Sequence, residues 1–78
     1  MSEKMIKAIL EYREAKRFEN EAFRASVEAR DVMLQCDDES FAANEDKFIR
    51  LAAEYQSKRR TTASCQQRLL NAALLEEI

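Results

Sequence analysis

Cys36 and Cys65 are the only cysteines of this 78-residue chain, and it has no histidine. A thiol nucleophile needs a base beside it and a zinc ion needs about four ligands, so two remote cysteines supply neither. Glu11 with Glu14 and Glu76 with Glu77 are carboxylate pairs at helical or adjacent spacing. On charge-rich helices such pairs usually stand in water, and no partner group here turns them into an acid–base site. Without glycine, a phosphate-cradling loop or dinucleotide fingerprint is excluded. Lys58, Arg59 and Arg60 form the one cluster with a ligand chemistry, since adjacent cations on a helix can neutralise phosphates. Against that reading stand an isoelectric point near 5.2, the acids Asp37, Asp38, Glu39, Glu45 and Asp46 with no base among them, and a single nearby ring, Tyr55, for stacking. The residue types predict no catalysis, no metal and no cofactor. Nucleic-acid binding through Lys58, Arg59 and Arg60 is kept as an alternative to protein binding.

The elements that hold these residues are read from composition and spacing. Glycine and proline are both absent, whereas charged residues make up 36% and apolar ones 46%. Few tight turns are open to such a chain, and long helices carrying solvated charge fit it best. Every seventh residue from Ala8 is small: Ala8, Ala15, Ala22, Ala29 and Cys36. Two helical turns take about seven residues, so these fall on one face and let a second helix approach closely. Three residues after four of them come Glu11, Phe18, Ala25 and Val32. Phe18 and Val32 are the expected knobs of this seam.

Ser2 has the chemistry of a helix cap, and nothing stops a helix from Glu3 to Cys36. Cys36-Asp37-Asp38-Glu39-Ser40 is the evident break, because aspartate is poor inside a helix, tolerates left-handed backbone and caps a following helix. The expected fold is all-α, a single domain over 1–78: helix 3–36, turn 37–40, then an antiparallel helix 40–77. The second helix carries Phe41, Phe48, Leu51, Tyr55, Thr62, Cys65, Leu69 and Ala72 at mostly three- and four-residue steps. Its pattern thins between Arg59 and Ser64, where a kink or restart is the alternative to one continuous helix. Antiparallel pairing brings Leu69, Leu70, Leu74 and Leu75 back beside Met5 to Tyr12, the most apolar end of the molecule.

A two-helix hairpin buries only one stripe of each helix, and chains of this size gain little from one core. Assembly into a larger bundle, as a homodimer or with a foreign helical partner, is therefore expected. The residues expected at that interface are Ala8, Ala15, Phe18, Ala22, Ala25, Ala29, Val32, Phe48, Tyr55, Leu69, Leu70 and Leu74. No basic-then-apolar leader or membrane span is visible, and two unpaired thiols suit a reducing, cytoplasmic setting.

Ala53-Glu54-Tyr55-Gln56-Ser57-Lys58 resembles a stretch in the second helix of needle subunits from bacterial type III secretion systems. Those subunits are also short helical hairpins, but the family's proline-containing turn is replaced here by Cys36 to Ser40. In length and hairpin plan the chain is also similar to the small chaperones that hold needle subunits. That resemblance implies a cytoplasmic heterocomplex built on the apolar faces. The functional expectation is a non-catalytic interaction module, adaptor-like, chaperone-like or regulatory.

Overall fold

The computed structural model describes residues 2–77, and the side chains of residues 2–75. Two helices account for nearly all of it: α1, Glu3–Gln35, and α2, Asp38–Glu77. They lie antiparallel. The Thr62 hydroxyl reaches the Ala15 carbonyl at 3.2 Å, and Arg68 Nη1 lies 3.4 Å from Glu11 Oε2. The Cα trace measures 61 × 13 × 12 Å, with a radius of gyration of 17.6 Å against about 11–12 Å for a compact chain of this length. The molecule is a rod.

Ser2 begins α1 by accepting the Met5 N–H on its hydroxyl oxygen at 3.2 Å. The connection is shorter than the expected turn over 37–40. α1 ends one residue early and Cys36 is extended (φ −77°, ψ 164°), its N–H donating to the Val32 carbonyl at 2.9 Å. Asp37 then caps α2, accepting the Ser40 N–H on Oδ1 at 2.9 Å. This cap moves the helix start to Asp38, so Asp38 and Glu39 meet the positive end of its dipole. No described residue has positive φ. The reversal thus needs neither glycine nor the left-handed backbone expected of the aspartates.

α2 is continuous through Arg59–Ser64, with no kink or restart. Thr61 donates its hydroxyl to the Ser57 carbonyl at 3.3 Å, and Thr62 has the Lys58 carbonyl at 3.0 Å. The two threonines that thin the apolar pattern therefore satisfy their hydroxyls within the helix.

Burial follows seven-residue rows. On α1 the small row is the seam: Ala8, Ala15 and Ala29 are buried, and Ala22 and Cys36 half-buried. Its companion row is not the expected one. Phe18 and Val32 stay 39% and 53% exposed, while Met5, Tyr12, Glu19, Ser26 and Met33 sit inward. At about 100° per residue, a step of four lands some 40° from the small row and a step of three some 60° on the other side, so the former makes the narrower stripe. On α2 the inward rows are Phe48, Tyr55, Thr62 and Leu69 with Asn44, Leu51, Lys58, Cys65 and Ala72. The stripe read from sequence holds, apart from Phe41, which is 43% exposed, and it gains Asn44 and Lys58.

Candidate functional site

The seam is lined by small and polar groups as much as by apolar ones. Buried Ser26 donates to the Phe23 carbonyl of its own helix at 2.8 Å. Buried Thr62 has one hydroxyl proton to share between the carbonyls of Ala15 and Lys58. Glu19, with a side chain 12% exposed, is held by Lys16 at 3.3 Å, though its Oε2 has no aligned hydrogen bond. No side chain among the described residues is both large and fully buried. Such a core fixes register through its polar members but contributes little hydrophobic stabilisation.

Ala8, Ala15 and Ala29, expected at a partner interface, are covered by the chain's own second helix. Ala22, Ala25, Phe48, Tyr55 and Leu69 are half-buried along the same contact or its margins. Phe18, Val32, Leu70 and Leu74 stand exposed. The seam closes the hairpin, because the antiparallel return of α2 reaches it first. Surface for a partner must come from the rows beside it.

Those flanking rows make two unlike faces. One carries Lys4, Lys7, Glu11, Glu14, Phe18, Glu21 and Val32 of α1 with Lys47, Arg50, Glu54, Thr61 and Arg68 of α2. Shallow depressions run along it, lined by residues such as Lys7, Glu11, Arg68 and Asn71, or Phe18, Glu21, Glu54 and Lys58. Arg68 on this face meets Glu11 and also donates to Cys65 Sγ at 3.3 Å. The Phe18 ring lies under Arg17 at 5.2 Å and Lys58 at 5.7 Å. This is the grooved face.

Helical phase places Ile6, Ile9, Phe23, Val27 and Leu34 of α1 on the opposite side, with Ile49, Ala52, Ala63, Leu70 and Ala73 of α2. Ile6, Phe23, Leu34, Ile49 and Leu70 are all between 46% and 71% exposed. Phe23 packs on Tyr55 with ring centroids 5.3 Å apart and tilted by 56°. This face has apolar bands at the open end and beyond mid-rod, separated by Arg13, Lys16 and Arg59. It is the smooth face. Phe23, Val27 and Leu34 fall outside the small row at steps of four and seven, a spacing that gives them one side of α1 and suggests contacts on a second side.

The basic cluster is divided. Lys58 turns into the seam beside Phe18, and Arg59 lies over the Tyr55 ring at 5.8 Å. Arg60 points outward, because successive helical residues diverge by about 100°. Tyr55 and Lys58, both half-buried, lie along the contact between the two helices.

Among the described residues no group of three or more Cys, Asp and Glu gathers as metal ligands, and both cysteines are free thiols. Glu11 is paired with Arg68, and Glu14 is exposed. The side chains of Glu76 and Glu77 lie outside the described residues. No helix is long and apolar enough to cross a membrane. Compared with known protein families, curated proteins and solved structures, the chain matches none.

Proposed function

We propose that this chain is a non-catalytic protein–protein interaction module, an incomplete helical bundle that finishes its core against another surface. The observation that carries the reading is an inversion of the usual arrangement. Among the described residues eleven large apolar side chains, Phe23, Ile49 and Leu70 with them, stay well exposed, while the buried apolar side chains are alanines and one cysteine. Monomeric proteins expose single apolar residues freely, but contiguous bands of them mark contact surfaces. Coiled-coil-like packing along the seam sets the scaffold, and the two free thiols suit an adaptor or regulatory subunit of the cytoplasm.

The test is stability on dilution. A module completed by association has helicity and a melting temperature that fall with concentration, or stay low until its partner is supplied. Circular dichroism melts at about 100 µM and about 1 µM read this out. A chain equally helical and equally heat-resistant at both, with a melting temperature typical of a self-sufficient domain, overturns the reading.

A further inference from the structure

We propose that the occupant of the smooth face is a second copy of this chain, laid antiparallel with its two-fold axis near Ile49. This rests on the interaction-module reading and gives that module its partner.

The area fits. The chain exposes 6140 Å², whereas a compact monomer of 9.1 kDa exposes about 4,900 Å². The excess, about 1,200 Å², is also the area of one face of a 61 Å rod two helices, or about 20 Å, across. Turned about Ile49, eleven residues or about 16 Å from the start of α2, two copies overlap over about 33 Å of that face and cover about 1,300 Å² in total, a standard specific interface. Exposure favours it too. The depressions lined by both helices lie on the grooved face, whereas this side presents Ile6, Phe23, Ile49 and Leu70 outward.

Charge selects the direction. One row of α2 on the smooth face reads Asp38, Glu45, Ala52, Arg59 at seven-residue steps. Asp38 is eleven residues before Ile49 and Arg59 ten after it, about 15–16 Å to either side at 1.5 Å per residue. A two-fold axis through Ile49 therefore sets Asp38 of one copy against Arg59 of the other, twice. It also sets the acidic turn against Arg13, beside Lys16, which Glu19 already holds within α1 at 3.3 Å. A parallel arrangement stacks the band of Arg13, Lys16 and Arg59 on its own image, which is repulsive. Arg30, the cation nearest the centre, is occupied by Asp31 at 3.4 Å. The centre is left to Phe23, Val27, Ile49 and Ala52, an apolar middle with a charged rim.

Sedimentation equilibrium of the full chain tests this. The expected species has twice 9.1 kDa. Because each substitution acts at two symmetric places, Ile49→Glu is expected to weaken dimerisation at least about a hundredfold, while Val32→Glu on the grooved face leaves it within about threefold. Arg59→Glu and Asp38→Arg each weaken the dimer, and the double swap restores it. That rescue also guards against a loss of folding in Ile49→Glu. A dimer that survives Ile49→Glu but not Val32→Glu, or lacks the rescue, overturns the proposed face while leaving the interaction-module reading intact. A monomer of low melting temperature overturns the second copy as occupant and points the module to a foreign partner. A heat-resistant monomer overturns both.

Discussion

The grooved and smooth faces flank the same seam, yet they dispose of their apolar side chains differently. On the grooved face Phe18 lies beneath Arg17 and Lys58, and Glu11 pairs with Arg68 across the helices. On the smooth face Ile6, Leu34, Ile49 and Leu70 point outward. The difference teaches that the seam decides only that the helices pair. What remains available afterwards is set by the rows one step to either side. Covering the grooved face takes its many charged side chains out of water, whereas covering the smooth face removes apolar area from water.

The largest way to break the comparison is to remove the scaffold both faces share. Ala15 is 7% exposed, and its carbonyl lies within reach of the Thr62 hydroxyl. Ala15→Leu inserts bulk where the helices lie closest, and overpacking of that kind costs about 1–3 kcal/mol. A core this thin has only a few kcal/mol to lose, so most helicity at 25 °C is expected to go, as read by circular dichroism. Unchanged melting shows that the seam has room to spare. A smaller effect separates the faces. Phe23→Ala loses the Tyr55 ring contact and half-buried area, about 1–2 kcal/mol, whereas Phe18→Ala loses its cation contacts, about 1 kcal/mol or less. Melting at two concentrations sharpens the contrast. The Phe23→Ala deficit should grow as the chain is concentrated and its face is covered, and the Phe18→Ala deficit should not.

The hairpin was legible in the sequence because two independent signals agree: a small residue every seven positions in α1, and a three-four stripe in α2 ended by a run of acids. The companion row was not. Phe18, Ala25 and Val32 are more apolar than Glu19, Ser26 and Met33, so hydrophobicity alone picks the wrong neighbour, and helix geometry overrides it. Ser26 is missed for a related reason, whereas Thr62 already stands in the α2 stripe read from sequence. Their hydroxyls bond backbone carbonyls, which lets them occupy positions reserved for alanine in a polarity count. Lys58 looked like part of a basic surface, but a long stem permits it to lie along the seam with its ammonium at a ring. The length of the connection depended on which aspartate serves as the cap, a choice that propensity leaves open between Asp37 and Asp38.

The smallest predicted effect concerns that cap, which belongs to neither face and so should leave their contrast untouched. The Ser40 hydroxyl first, and then the Ser40 N–H that Asp37 accepts on Oδ1, hold its carboxyl below the ordinary value of 3.8. Because the pKa is depressed on folding, the unfolded chain binds the proton more readily. The stabilisation is then fully present above the unfolded value and is lost as pH falls through the folded one. Asp37→Asn keeps a capping side chain and removes the titration. Between pH 5 and pH 2 the melting temperature of the wild-type chain should therefore fall slightly further than that of Asp37→Asn. The association state at neutral pH should be the same for both. A larger fall in the variant removes Asp37 as the source of the acid limb, and a changed association state means that the turn takes part in the contact between copies. The second outcome carries the most information, because the proposed antiparallel arrangement would bring this acidic turn close to Arg13 of the other copy. Raised salt separates the two roles: screening weakens a charge contact between copies, while a short hydrogen bond within one helix end persists.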